Sequence, residues 1–326
     1  MFTRVKKLVV VAFSLAVMLA SSVGWGAPTV KEHTLPAFES FTMRPRISGD
    51  WVVASLNETD KACLSPTKGV VCYNLRTKET YTIYNGQAGW CDVRGNIATW
   101  NGMSGTVADF MKKNTQASAA GDPSNLIVVD LGTWNYYNPP LSTGPIFAPV
   151  VSGNHVAYQG KGNQIYFLDL RTGRQKKVSS GRNSTACPQI CGDLVIWEER
   201  VNKCQIRGYS ISRNEEFPIT TVSGGQCISP KTDGITVVWY DAKNEIWAWD
   251  VATGKTTHVV HGFYPDIAGG IVVYMKGDCV VYGTDLRDGK EFRISAGDSK
   301  CGPSISMGRV IWQKDDIIHV AELSFK

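Results

Sequence analysis

Nine cysteines and five histidines are the residues of this 326-residue chain best equipped for chemistry. The cysteines are Cys63, Cys72, Cys91, Cys187, Cys191, Cys204, Cys227, Cys279 and Cys301. Thiols can pair as disulfides or, as thiolates, hold zinc or an iron–sulfur cluster. Their spacing matches no compact ligand motif: the chain has no Cys-x-x-Cys and no haem-attachment Cys-x-x-Cys-His. Nine is odd, so at least one thiol stays free or pairs outside the chain. Cys187 and Cys191 flank Pro-Gln-Ile and lie too far apart in an extended strand to bond each other easily, so one of them is the expected free thiol. The histidines, His33, His155, His258, His261 and His319, share no metal-binding spacing. No Gly-x-Ser-x-Gly elbow, P-loop or Gly-x-Gly-x-x-Gly cradle is present. Neither a metal nor a cofactor is expected.

The first 27 residues have the three parts of a secretory signal: basic Arg4, Lys6 and Lys7, an apolar run from Leu8 to Ala20, and small residues up to Ala27. Cleavage is expected between Ser22 and Ala27, leaving no membrane span and placing the protein in the periplasm, outside the cell or on its surface. Such a compartment favours disulfides over thiolate sites. The net charge of +5 falls close to balance once the leader is gone, so nucleic acid is not an expected partner. Apolar residues make up 43% of the chain and charged ones only 19%, with 32 Gly, 10 Trp and 12 Tyr, which excludes wholesale disorder and argues against a helical bundle.

What must position these side chains is an internal repeat. An apolar residue and a small or polar one precede a turn, and an apolar run then ends in an aromatic. The copies are Ile47-Ser-Gly-Asp-Trp-Val-Val-Ala54, Val93-Arg-Gly-Asn-Ile-Ala-Thr-Trp100, Val151-Ser-Gly-Asn-His-Val-Ala-Tyr158 and Ile190-Cys-Gly-Asp-Leu-Val-Ile-Trp197. Thr232-Asp-Gly-Ile-Thr-Val-Val-Trp239, Ile267-Ala-Gly-Gly-Ile-Val-Val-Tyr274 and Ile305-Ser-Met-Gly-Arg-Val-Ile-Trp312 complete the set. Their starts are spaced 46, 58, 39, 42, 35 and 38 residues. Each unit reads as four short strands, A to D, with a second turn such as Arg171-Thr-Gly173 between C and D. The seventh unit ends after its C strand, and Lys31-Glu-His-Thr-Leu-Pro-Ala37 matches the D strand Lys290-Glu-Phe-Arg-Ile-Ser-Ala296. The expected fold is therefore all-β: residues 28–326 form a single seven-bladed propeller of four-stranded blades, closed by the N-terminal strand completing the last blade. The aromatics ending the B strands (Trp100, Tyr158, Trp197, Trp239, Tyr274, Trp312) are expected in the core between blades.

The Pro-x-Ile-Ser-Gly-Asp-x-Val-Val-Trp units resemble the WD40-like repeats of TolB-type propellers and the Ser-Gly-Asp propeller repeats of exported prokaryotic surface proteins. The resemblance spans Ile47 to Leu323 and implies the propeller fold. It says little about function, because propellers serve binding, scaffolding and catalysis alike.

On such a fold the D–A and B–C connections share one face, here called the top, and the A–B and C–D turns share the other. Length varies on the top, where residues 101–125 and 57–69 form the longest connections and Phe110, Lys112 and Lys113 make an apolar-then-basic stretch suited to a partner. Trp90 and Tyr264 also fall there and could stack on a peptide or sugar. The residues leading into the A strands form a mixed ring of Arg46, Asp92, Val150, Gln189, Lys231, Asp266 and Ser304, in which Asp92 and Asp266 could take a cation or polar ligand. Cys204 and Cys279 hold equivalent places in units 4 and 6, as do Cys227 and Cys301, so Cys204–Cys227 and Cys279–Cys301 are expected disulfides. Cys63 is expected to pair with Cys91 or Cys72. The functional expectation is an exported, monomeric binding or scaffolding module whose top face contacts a protein or a cell-envelope glycan. The competing class is a polysaccharide lyase or hydrolase with its site at the channel mouth.

Overall fold

The computed structural model describes residues 27–35, 41–57, 67–107, 126–144, 146–181, 183–200, 204–220, 227–295, 297, 299, 301–315 and 317–325. Among them the regular structure is antiparallel strand apart from one short 3-10 turn at Lys161–Asn163. The strands form six sheets, and the fold is all-β and propeller-like. Four of these sheets are single four-stranded units in chain order, covering 147–177, 184–218, 227–261 and 263–293.

The other two sheets depart from one unit, one continuous segment. The last sheet orders Ser304–Ser306, Arg309–Lys314 and Ile317–Ser324, then adds the N-terminal strand Thr29–Thr34. That strand pairs from Thr29 opposite Ser324 to Thr34 opposite His319, as the matching D-strand sequence suggested. The Glu32 carboxylate meets His319 Nδ1 at 2.7 Å, and the imidazole lies flat on Trp312.

The first sheet corrects the expectation of seven separate blades. It has seven strands, because Glu79–Arg94 runs unbroken for 16 residues. Its first part pairs with Thr67–Asn74 as a D strand, and its later part pairs with Ile97–Val107 as an A strand. No turn separates units 1 and 2. The close pairing depends on Gly69, where a Cβ would stand 2.3 Å from the Tyr84 carbonyl oxygen.

Packing follows from the sheets stacking face to face. The B strands are buried on both sides, so they read as continuous apolar runs rather than alternating ones; Leu194–Arg200 is buried at all but its last position. D strands lie outermost, and Thr256–His261 is exposed or half-buried throughout. Trp100, Tyr158, Trp197, Tyr274 and Trp312 are fully buried and Trp239 nearly so, as expected for the ends of the B strands.

Contacts pass from each sheet to the next and return from the last sheet to Phe41–Ser48 of the first. The serine of the Ser-Gly-Asp turn helps to tie them. Ser152 Oγ accepts the Gly192 N–H across two sheets, and Ser48 Oγ accepts that of Gly95 within the long sheet. Ser306 Oγ accepts the Gly49 N–H, joining last to first, and Arg309 adds bonds to Gly49 O and Asp50 Oδ1.

Candidate functional site

Six of the seven A strands carry a bulge where they reach the top face, Phe147–Ser152 among them and Ser304–Ser306 the exception. Pairing slips between Met43 and Arg46, Ala88 and Cys91, Ala186 and Gln189, Ile228 and Lys231, and Phe263 and Asp266. The recurring prolines sit in these bulges, where an inner edge strand needs no N–H donor. The residue before the proline takes left-handed backbone: Ala148, Cys187, Ser229 and Tyr264 all have φ between 46 and 56°.

The bulges set the channel mouth. Arg46, Trp90, Cys91, Asp92, Pro149, Cys187, Gln189 and Lys231 are among the groups around a cavity of about 60 Å³. That volume holds a few waters, whereas small-molecule sites usually run to several hundred Å³. Trp90, which borders it, is 40% exposed, and Tyr264 and Phe147, at the bulged ends of their own A strands, are 47% and 51% exposed. Tyr264 packs edge-on against Tyr240 at 5.5 Å. Sequence reasoning missed Phe147; its only signal is its place two residues before Pro149 in a strand that bends outward.

The two ring carboxylates are committed to the framework. Asp92 Oδ2 accepts the Val151 N–H at 3.0 Å, from the next unit. Asp266 Oδ2 accepts the Ile305 N–H at 3.1 Å, again from the next unit, and its Oδ1 accepts from Ile267. Lys231 lies between them. Burial and then Arg46 push its ammonium down to about 8, against the pull of Asp266 and Asp92. At the opposite end of the channel Arg94 reaches over the intervening sheet to Cys191 Sγ and the Thr232 carbonyl, both 3.2 Å away.

A further carboxylate, Glu198, was not singled out from sequence. It is buried, accepts the Ser229 N–H at 2.7 Å and receives the Cys204 thiol at 3.9 Å. Burial, then Glu198, push Cys187 and Cys204 each up to about 12, and burial pushes Cys91 up to about 11. These thiols are protonated at neutral pH and poor nucleophiles. All eight described cysteines are unbridged in this structure; Cys227 Sγ instead contacts Thr220 Oγ1 and Cys301 Sγ contacts Gln313 Oε1. Cys63, Phe110, Lys112 and Lys113 lie outside the described residues.

His258 and His261 converge on one carboxylate, Glu245, at 2.7 and 3.1 Å. Among the described residues no group of three or more His, Cys, Asp or Glu is placed to hold a metal ion. No helix among them is long and apolar enough to cross a membrane.

Repeats and sheets together give the chain a β-propeller-like fold. Within it, residues 132–259 match the family described as outer membrane protein assembly factor BamB. The fold is similar to the propeller domain of the trilobed protease from Pyrococcus furiosus, described as having an open velcro topology, at a TM-score of 0.62 and 12% identity over 89% of this chain and 95% of that one. It is also similar to the propeller domain of Myceliophteria thermophila Cps50 (Swd1), with a TM-score of 0.60 and 10% identity over 89% and 99%. An oligogalacturonate lyase in complex with manganese aligns at a TM-score of 0.58 and 13% identity over 92% and 97%. At these identities the likeness is one of fold. No curated protein matches the sequence.

Proposed function

We propose that this chain is an exported seven-bladed propeller that acts as a binding module, docking a protein on its top face. The blade count takes the seven-stranded sheet as two blades sharing Glu79–Arg94. One observation carries the reading: Trp90 at the narrow mouth, and Phe147 and Tyr264 at the bulged ends of their own A strands, stand exposed on the face of the bulges. Aromatic anchors of this kind dominate protein interfaces, since they bury large rigid area at small entropic cost. The partial match to a family named for outer membrane protein assembly supports a protein partner and a periplasmic setting. Asp92 and Asp266, spent on neighbouring backbone, are not free to serve as an acid–base pair.

The test is site-specific photo-crosslinking in cells exporting the protein, with the reactive residue placed at 90, 147 or 264, or at the exposed turn position 235 on the other face. Adducts of one size from the first three and none from 235 are expected. Adducts from 235 alone would sink the top-face reading. So would cleavage of polygalacturonate by the wild type that Asp92→Asn and Asp266→Asn abolish.

A further inference from the structure

The turn face holds a larger hollow than the channel mouth. A recess of about 520 Å³ lies between units 1 and 2, bordered by Asp50, Trp51, Arg76, Glu79, Tyr81, Asn96, Trp134 and Met307. We propose that this recess is a saccharide-binding site, formed where two turns carry the bulky side chains of Trp134 and Met307 in left-handed backbone.

Both residues occupy backbone that a side chain disfavours. Trp134 has φ 58°, and its N–H bonds the carbonyl of Asp130, four residues back. The equivalent C–D turn position is left-handed in other units too, filled by Gly173, Gly254 and Gly289 but also by Lys78 and Asn214, so the position favours glycine or a small polar residue and Trp134 is the one aromatic among them. Met307 has φ 49° in the A–B turn where Gly49, Gly95, Gly153, Gly192 and Gly269 stand. It is 84% exposed. Bulky residues in left-handed turns are strained, and strain that the fold does not need points to function. Two such residues from different units border one hollow.

The chemistry of the walls selects the ligand. Trp134 packs against Tyr81 at 4.7 Å and edge-on against Trp51 at 5.7 Å. Rings this close leave no gap for a cation between them, so they make a ledge rather than a cage. A pyranose ring lays its C–H face on such a ledge and offers hydroxyls at its edge. Planar donors and acceptors surround the ledge. Arg76 is well exposed and lies 3.8 Å from Asp50, and Glu79 accepts the Tyr81 hydroxyl at 2.6 Å. Asp50 is also paired with Arg309 at 2.8 Å, itself 3.7 Å from Glu322, so these charges are already paired within the protein. A neutral ligand rich in hydroxyls fits this pairing better than a charged one. A peptide adding a strand is disfavoured, because Trp51–Asn57, Thr67–Asn74, Glu79–Arg94 and Ile97–Val107 are inner strands with both edges paired. The shared strand Glu79–Arg94 also fixes Trp51 and Tyr81 relative to the second unit before any ligand arrives.

Titrating the full exported chain with chitotetraose, maltotetraose and tetragalacturonate, read by saturation-transfer NMR and tryptophan fluorescence, tests the assignment. At least one neutral tetrasaccharide is expected to bind saturably at millimolar concentration or below. Trp134→Gly should weaken it tenfold or more and Met307→Gly several-fold, while Trp90→Ala on the opposite face leaves it unchanged. Both glycine variants suit the left-handed backbone, and denaturant unfolding of each separates a loss of binding from a loss of fold. The proposal is overturned if none of the three saccharides binds, if only the uronate binds, or if Trp134→Gly binds as the wild type does. A peptide-library hit lost in Trp134→Gly, without saccharide binding, would equally overturn it in favour of a peptide site.

Discussion

The channel mouth and the turn-face recess both hold non-glycine residues in left-handed backbone, but what sets each apart from the other units differs. At the mouth the difference is electrostatic: Lys231 is held among Arg46, Asp92 and Asp266 in surroundings that push its ammonium down to about 8. At the recess it lies in the backbone, with Met307 in a left-handed turn position that other units fill with glycine and Trp134 the one aromatic at a position filled elsewhere by glycine, Lys78 or Asn214. The mouth is narrow and its face carries exposed rings, which suits a broad protein surface. The recess is wide, walled by aromatics and polar on its rim, which suits a small ligand. Here the larger hollow comes from two side chains placed in short turns.

Both faces hang on the same core, and the largest effect expected is one that breaks them alike. Trp312 is fully buried in the last sheet, packed among Ile271, Val273, Val310 and Leu323. Trp312→Ala should lower unfolding stability by about 3–5 kcal/mol, as truncation of a buried tryptophan does. Denaturant unfolding measures this. Binding per folded molecule should survive at both faces; selective loss at one would show that Trp312 positions that face rather than holding the fold.

Lys231→Met separates the two regions. With the folded lysine near 8 and the unfolded one near 10.5, the unfolded chain holds the extra proton between those values. Wild-type stability therefore gains a contribution as pH rises from about 8 towards 10.5, and below 8 the full penalty of the buried charge applies. The substitution should stabilise the protein by about 2 kcal/mol at pH 7, an amount that shrinks as pH climbs through that window. Saccharide binding at the recess should not respond. A variant no more stable than wild type at pH 7 would mean that Asp92 and Asp266 already compensate the charge.

Much of the framework was legible in the residues. The repeated turns, the prolines and the B-strand aromatics foretold the strand order within each unit, because each rests on a local requirement: positive φ, a missing donor, burial on both faces. The pairing of Thr29–Thr34 with Ile317–Ser324 was legible for the same reason, as a D strand without its unit. The merging of units 1 and 2 was not, since a D–A connection and a continuous strand both read as extended chain until Gly69 and Tyr84 meet across the ladder. Asp92 and Asp266 were placed correctly on the ring but read as ligands, because their partners are backbone N–H groups of the next unit, invisible to side-chain spacing. The recess was passed over because its turns are short. Its signal was present: Met307 breaks the glycine pattern of the A–B turns, and Trp134 is the one aromatic at its C–D turn position.

That lone aromatic yields the smallest effect and the sharpest one. If Trp134 is retained for a ligand, its backbone strain opposes folding, and glycine at φ 58° relieves it. Against this stands the loss of the ring's packing on Trp51 and Tyr81, which is partial because Trp134 is itself half-buried. The left-handed penalty is about 1–2 kcal/mol, and glycine also returns some entropy to the unfolded chain. Trp134→Gly should therefore unfold within about 1 kcal/mol of wild type, far from the loss expected at Trp312, while saccharide binding falls at least tenfold. A loss of stability comparable to that of Trp312→Ala would place Trp134 in the core, and the two faces would then differ only in shape.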